Sequence, residues 1–181
     1  MVRRTGAMPP PKGTEKIRLG ISACLLGERV RYDGGHKHDA YLTETLGRFV
    51  QWVPVCPEVE CGLSVPREAM HLEGDLASPR LVTIRTHQDQ TERMLSWARR
   101  RVEEQAREGL CGFVFKADSP SCGRERVPVY DARGTAQEIG VGLFARLFME
   151  RFPRLPVEDE KRLYDAAIRA GFIERLTRNR M

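Results

Sequence analysis

Three of the five cysteines, Cys24, Cys56 and Cys122, follow segments whose residue pattern predicts β-strands: Ile17–Ser22, Gln51–Val55 and Gly112–Lys116. In an open parallel sheet, ligands bind outside the carboxyl ends of the strands. We therefore expect three thiols that are far apart in the sequence to meet at one edge. Sulfur ligands of this kind favour iron–sulfur clusters, zinc or cuprous copper. Three ligands leave one metal position open, which is typical of a catalytic site.

Ordinary packing is the alternative role for each cysteine, because cysteine is among the most frequently buried residue types. For Cys61 and Cys111 we favour packing, although Cys61 follows Cys56 by five residues and could serve as a spare ligand or a redox partner. His36 and His38 could bind zinc, but a solvated loop before a helix is the simpler interpretation. For Cys24, Cys56 and Cys122, residue type and spacing alone leave ligand and core roles open.

The predicted elements alternate between strands and helices. Helical spacing of apolar residues covers 38–49, 89–109 and 141–148, and further strands are predicted at 81–85 and 126–130. The order β-α-β-α predicts an α/β fold, with a mainly parallel sheet flanked by helices in a three-layer, Rossmann-like arrangement. After Leu155 the chain is charged and helix-prone, which predicts a C-terminal helical extension.

The composition limits the class of protein. The net charge of +5 and the pI of about 9.1 suggest an anionic partner such as a nucleotide or RNA, although an arginine-rich genome would produce the same bias. The sequence has no apolar run long enough to span a membrane and no secretory signal. We therefore expect a cytoplasmic protein with reduced cysteines and no membrane partner.

Five motifs resemble the thiouracil desulfidase family: Ser-Ala-Cys-Leu-Leu-Gly (22–27), Arg-Tyr-Asp-Gly-Gly (31–35), Pro-Val-Cys-Pro-Glu (54–58), Pro-Arg-Glu (66–68) and Ser-Pro-Ser-Cys-Gly (119–123). The resemblance extends from Lys16 to about Phe152. It implies a desulfidase domain over 16–153, while the glycine, proline and charged residues before it predict a flexible tail over residues 1–15. Residues 154–181 would then form a C-terminal helical extension or a truncated linker.

The resemblance also implies the site. A 4Fe–4S cluster would be bound by Cys24, Cys56 and Cys122, Glu58 matches the family's catalytic carboxylate, and Ser119 matches its serine best, with Ser121 as the fallback. The substrate would be a small thiobase or thionucleotide such as 2-thiouracil or a 4-thiouridine nucleotide. Thiolated tRNA stays open as a partner, because residues 140–155 resemble the longer members, which are linked to tRNA. The chain ends where their second domain would begin, which favours a free base or nucleotide.

The implied reaction is a non-redox, hydrolytic removal of sulfur with release of sulfide. An open iron would act as a Lewis acid toward the substrate sulfur, and Glu58 would deprotonate the attacking water. Two other classes of function stay open at this stage: a zinc-dependent hydrolase using the same cysteines, and a non-catalytic RNA-binding module using basic residues such as Arg99–Arg101. A thiol-redox role for Cys56 and Cys61 is a third.

Overall fold

The structure, a computed structural model, describes residues 16–179. Their eight strands are β1 (Ile17–Ser22), β2 (Val50–Val55), β3 (Met70–Glu73), β4 (Arg80–Thr83), β5 (Phe113–Phe115), β6 (Val127–Tyr130), β7 (Ala136–Gly140) and β8 (Val157–Asp159). Four α-helices accompany them: α1 (Pro57–Glu60), α2 (Thr91–Gln105), α3 (Leu143–Arg151) and α4 (Ala166–Arg178).

The first sheet has the strand order β2-β1-β5-β8, and all of its pairings are parallel. β1 lies in the interior of this sheet and is almost continuously buried, as expected for a parallel strand that is covered on both faces. Its last residue, Ser22, pairs with Val55, the last residue of β2. The two strands therefore end at the same level.

The second sheet has the order β4-β3-β6-β7. β3 pairs with β6 in parallel, while both outer strands are antiparallel to their neighbours. Leu72 of β3, Leu81 of β4 and Val129 of β6 are buried in the same hydrophobic cluster as α2 and α3. This sheet therefore shares a core with the helices that cover the first sheet.

Two hydrophobic clusters lie on opposite faces of the first sheet. Phe113 and Phe115 of β5 belong to the cluster that contains α2 and α3, whereas Val114 between them belongs to the other. This alternation follows from the two-residue side-chain period of a strand. The second cluster includes Ile17, Leu19 and Ile21 of β1 and residues of α4. The first sheet thus lies between two layers, which confirms the predicted α/β fold and its C-terminal helix.

Several elements differ from the sequence-based expectations. The segment predicted as one helix over 38–49 is a π-helical turn, Tyr41–Thr45, followed by a 3₁₀ turn, Leu46–Arg48. The strand predicted at 81–85 belongs to the second sheet, and β3 and β7 were not predicted. Both strands are short, and four of the five residues of β7 are exposed, so the alternation of buried apolar and exposed polar residues that indicates a strand is weak there.

The segment after residue 153 begins with a strand. β8 pairs with β5 before the chain enters α4, so the helix-prone stretch 158–170 is only partly helical. Phe172 and Leu176 of α4 are buried in the second cluster. The division of the chain at residue 153 stays a prediction, and the predicted flexible tail, 1–15, lies outside the described residues. Among the described helices, none is long and apolar enough to cross a membrane.

Two glycines provide a matched test of this packing. A Cβ on Gly112 would lie 2.5 Å from the Pro156 carbonyl oxygen and 2.7 Å from Leu176 Cδ2, whereas a Cβ on Gly171 of α4 meets nothing within 4 Å. We expect Gly112→Ala to lower the free energy of unfolding by about 1–3 kcal/mol through overpacking. Gly171→Ala should raise it by about 0.5–1 kcal/mol, because alanine favours the helix. Urea denaturation measures both, and equal effects would contradict the tight contact at Gly112.

Candidate active site

The three cysteines predicted as ligands line one cavity of about 750 Å³. Cys56 directly follows β2, Cys24 lies just after β1, and Cys122 is in the loop after β5. These strands are neighbours in the order β2-β1-β5, and their pairings are parallel. Their carboxyl ends therefore meet at one edge, and the structure brings the three thiols together there.

Cys24 belongs to a 3₁₀ turn, Ala23–Leu26, and is almost fully buried. Its carbonyl oxygen accepts hydrogen bonds from the backbone N–H groups of Lys37 at 2.9 Å and Gly27 at 3.3 Å. Gly27 has a φ of 92°, a conformation that favours glycine and that ends the turn. These two hydrogen bonds fix the backbone at Cys24 and thereby the position of its thiol.

Cys56 is the N-cap residue of α1, and its backbone N–H donates to Glu60 Oε1 at 3.0 Å. Pro57 at the first helical position favours the helix start, because proline lacks the N–H that would be unpaired there. The Glu60 side chain thereby satisfies the backbone N–H of the residue that precedes the helix. The Cys56 thiol therefore stands at the amino end of a short helix, pointing at Val30 O from 3.8 Å.

Cys122 is held by its loop. Ser119 Oγ accepts hydrogen bonds from the backbone N–H groups of Cys122 at 3.0 Å and Ser121 at 3.3 Å. Gly123 N donates to Ser119 O at 2.8 Å, and Gly142 N donates to Gly123 O at 2.7 Å. The amino end of α3 therefore packs directly on the cysteine loop.

Burial changes the protonation of all three thiols. Burial raises the pKa of Cys24 to about 11, and the nearby Lys116 only partly opposes this. Burial also raises the pKa of Cys56, against the opposing hydrogen bond from the Val59 N–H. It raises the pKa of Cys122 well above the usual value, with the Ser22 hydroxyl acting in the opposite direction. In the absence of a bound group the thiols are therefore protonated at neutral pH, and a metal must displace those protons.

Glu58 lies two residues beyond Cys56, inside α1, and its side chain is 14% exposed. Its Oε1 accepts a hydrogen bond from Ser121 Oγ at 3.0 Å, and its Oε2 accepts one from Arg67 Nε at 2.8 Å. Each carboxylate oxygen is thus held by one hydrogen bond, and the side chain lines the cavity. Of the two candidate serines, Ser121 contacts the carboxylate directly, while Ser119 Oγ lies 3.1 Å from Ser121 Oγ.

Sequence reasoning assigned no role to Arg67, although it lies within the Pro-Arg-Glu motif. Its guanidinium is almost fully buried, pairs with Glu58 and also donates to the carbonyls of Val30 at 2.8 Å and Ser64 at 3.1 Å. Arg67 therefore joins the loop before β3 to the segment after Cys24. The motif was a usable signal, since an arginine there has a planar group suited to a carboxylate.

A second ion pair was also missed. Lys116, directly after β5, pairs with Glu160, directly after β8, and both side chains are about one-tenth exposed. Glu160 Oε2 accepts the backbone N–H of Ala117 at 2.7 Å, and Lys116 N donates to Ser22 Oγ at 2.9 Å. These bonds join the ends of β1, β5 and β8. No local pattern points to a pair 44 residues apart.

The other candidate residues lie elsewhere or make ordinary contacts. Cys61 and Cys111 are half-buried against the two hydrophobic clusters, outside the cavity lining. His38 lines the cavity and its Nε2 lies 2.9 Å from Thr43 Oγ1, while His36 Nδ1 accepts the backbone N–H of His38. Gly142, at the start of α3, packs on the Cys122 loop.

The donor set at the cavity fits an iron–sulfur cluster. Within residues 16–179, no three side chains of His, Cys, Asp or Glu lie close enough together to hold a single metal ion. A cluster needs no such closeness, because each thiolate binds a different iron atom. Cys24, Cys56 and Cys122 around the cavity would bind three irons of such a cluster and leave one iron without a protein ligand.

The fold and the site define an α/β protein in which three cysteines follow three parallel strands and line one cavity with the carboxylate of Glu58. The chain matches the 2-thiouracil desulfurase family over residues 19–160 and belongs to that family. Among solved structures it is similar to a [4Fe–4S]-dependent thiouracil desulfidase, TudS, at 29% sequence identity and a TM-score of 0.68. That similarity covers 86% of this chain and 99% of the other. No curated protein matches the chain.

The contact between Glu58 and Arg67 can be measured by a double-mutant cycle. We expect Glu58→Gln and Arg67→Met to be coupled by about 1–3 kcal/mol in the free energy of unfolding, because the two groups form a poorly exposed ion pair. Urea denaturation of the wild type, both single variants and the double variant gives this value. Arg93→Met, at an exposed arginine, serves as the control partner. Additive effects of Glu58→Gln and Arg67→Met would contradict the contact.

Proposed function

We propose that this protein is an iron–sulfur-dependent, non-redox desulfidase that hydrolyses thiolated uracil bases to the oxo base and sulfide. The observation that carries the proposal is the cavity, where Cys24, Cys56 and Cys122 from three neighbouring parallel strands meet beside Glu58. The atoms balance without an external oxidant or reductant. Water supplies the oxygen that replaces sulfur on the ring carbon, and sulfur leaves as hydrogen sulfide.

Cys24, Cys56 and Cys122 would hold a 4Fe–4S cluster, one thiolate on each of three irons. When bound, the cluster supplies a Lewis-acidic iron suited to the soft sulfur of the substrate. The three cysteines already line the cavity at the ends of their strands, and hydrogen bonds fix the loops that carry them. The thiols lose their protons on loading, so we expect cluster loading to release protons and to become more favourable as the pH rises.

Glu58 would act as the general base. Its carboxylate is fixed by Arg67 on one oxygen and by Ser121 on the other, so it faces the cavity in one orientation. A water within hydrogen-bond reach of Oε1 or Oε2 would lose a proton to it as the oxygen attacks the ring carbon. The Arg67 guanidinium balances the charge of the carboxylate and keeps it in place.

The two serines would have separate roles. Ser121 donates to Glu58 Oε1 and can pass a proton along this contact, because a hydroxyl both donates and accepts. Ser119 accepts the N–H of Cys122 and so positions the ligand loop, with its hydroxyl one hydrogen bond behind Ser121. The family resemblance implies Ser119 as the active-site serine and Ser121 as the fallback. Our proposal instead gives Ser121 the direct contact with Glu58.

The cavity favours a small substrate. A volume of about 750 Å³ falls in the range of small-molecule sites, and the thiols lie at the buried carboxyl ends of strands. We therefore propose a free thiobase or thionucleotide as the substrate. Thiolated tRNA would have to turn the modified nucleotide out of its stack to reach the cysteines.

The cysteines also indicate the compartment. All five are free thiols in the described chain, and three of them are ligands under this proposal. Free thiols persist in the reducing cytoplasm. We propose that the protein works there.

The decisive experiment is anaerobic purification, quantification of iron and acid-labile sulfide, and a sulfide-release assay. The substrates are 2-thiouracil, 4-thiouridine monophosphate and thiolated tRNA. An iron–sulfur protein is brown, whereas the zinc hydrolase considered above would be colourless. A colourless protein that loads zinc, or one that binds tRNA in a salt-dependent manner without releasing sulfide, would overturn the proposal.

Single replacement of Cys24, Cys56 or Cys122 by alanine should abolish both cluster assembly and sulfide release, because one iron of the cluster then loses its only protein ligand. The measurements are iron per chain and the visible absorption of the anaerobic protein. Cys61→Ala and Cys111→Ala are the matched controls, since these thiols lie outside the cavity lining, and both variants should load normally. Full cluster content in all three ligand variants would refute the assignment.

Glu58→Gln should keep wild-type iron content and lose about 10²- to 10⁴-fold in kcat, the usual contribution of a general base. Glutamine preserves the shape of the side chain and still accepts a hydrogen bond from Ser121. Glu103→Gln, at an exposed carboxylate that pairs with Arg151 on the protein surface, is the control. A Glu58→Gln enzyme that turns over at the wild-type rate would remove Glu58 from the mechanism.

A further inference from the structure

The wall of the cavity includes residues beyond the end of the family match at residue 160. Lys161 and Tyr164 both line it, and they lie in the short segment between β8 and α4. Sequence patterns gave this segment no role in the site. Tyr164 stands out, because the residue is 68% exposed, the largest value among the large hydrophobic residues that the structure describes.

Exposed apolar groups are concentrated at the cavity. The five large hydrophobic residues that are exposed within residues 16–179 are Tyr32, Val65, Ile84, Ile139 and Tyr164. Three of these five, Tyr32, Ile84 and Tyr164, line the cavity. Apolar side chains gathered at the mouth of one cavity mark a surface that binds an apolar or aromatic group.

Tyr164 is held in place by a buried carboxylate. Its hydroxyl donates to Asp39 Oδ2 at 3.0 Å, and Asp39 is only 6% exposed. Asp39 is itself fixed, because its Oδ1 accepts the backbone N–H of Leu42 at 3.0 Å. The hydrogen bond to Asp39 also raises the pKa of the Tyr164 phenol, which therefore stays protonated as the donor at neutral pH.

The backbone around Tyr164 is anchored on both sides. Arg162 N donates to Asp159 Oδ1 at 2.9 Å, and the side chain of Asp165 caps α4 by accepting the N–H groups of Ala167 and Ile168. Leu163, next to Tyr164, is buried in the second hydrophobic cluster. An exposed aromatic ring with a fixed hydroxyl and a fixed backbone is organised before any ligand arrives, which lowers the entropy cost of binding.

We propose that Tyr164 is a substrate-binding residue whose ring stacks on the pyrimidine base, with Asp39 holding the ring in the stacking position. The proposal rests on the proposed function and adds to it the group that recognises the flat face of the base. Stacking is insensitive to which ring carbon bears sulfur, because every base presents a π-face. Tyr164 would therefore select planar pyrimidines as a class, and Glu58 and the cysteines would act on the thiocarbonyl.

The test compares Tyr164→Ala, Tyr164→Phe and Ile139→Ala in the anaerobic, cluster-loaded protein. Ile139 is 64% exposed and lies outside the cavity lining, so its replacement is the control for losing an exposed apolar side chain. Uracil, which carries no sulfur and does not react, is the binding probe and is titrated calorimetrically. The assay with 2-thiouracil gives KM and kcat.

We expect Tyr164→Ala to raise the Kd for uracil and the KM for 2-thiouracil about tenfold, with kcat within about twofold of wild type, because the stacking contact is lost from ground and transition states alike. Tyr164→Phe keeps the ring and loses its anchor, so we expect a smaller rise, about twofold to threefold. Ile139→Ala should match wild type. Iron content should be unchanged in all variants.

Two results would overturn the stacking role: an unchanged Kd for uracil in Tyr164→Ala, or a loss of iron in that variant, which would make Tyr164 a structural residue. These results differ from failure of the proposed function, which would appear as a wild-type protein without cluster or sulfide release. The uracil titration is then still informative, since it requires no turnover.

Discussion

The parallel pairing of β1 with β2 on one side and β5 on the other is the constraint on which the site depends. Ser22 and Val55, the last residues of β1 and β2, are directly paired, and Lys116 after β5 donates its N–H to Ser22 Oγ. The segments that follow β1, β2 and β5 therefore leave the sheet at the same level. A shift of one residue in either pairing would turn each side chain to the opposite face and separate the thiols.

The charged groups around the cavity act mainly through position. The pairs Glu58–Arg67 and Lys116–Glu160 are poorly exposed, and desolvation of such pairs offsets much of their electrostatic attraction. Their main effect is to fix the positions of loops, because one member of each pair also forms a hydrogen bond with the backbone of another segment. They hold loops that carry the reactive groups, and the stability of the domain comes chiefly from the two hydrophobic clusters.

The loop that carries Cys122 shows how packing and chemistry are connected. Ser119 binds the Cys122 N–H, Ser121 binds Glu58, and the start of α3 lies against both. A Cβ on Gly142 would lie 2.6 Å from the Ser121 carbonyl oxygen, so only glycine permits this approach. The helix that covers one face of the first sheet through Phe144 and Phe148 thereby also fixes a thiol and a hydroxyl at the site.

The sequence alone determined which strands precede the cysteines, and with them the α/β class and the parallel first sheet. Residue type is a local property, and β1, β2 and β5 each consist largely of apolar residues, which predicts a strand. The motifs around Cys24, Cys56 and Cys122 likewise pointed to the family. The second sheet, the strand at 157–159 and the contacts of Arg67, Ser121 and Tyr164 were decided only by the tertiary structure. The three side-chain contacts join residues from 9 to 125 positions apart, and nothing in a local pattern encodes which distant groups the folded chain brings together.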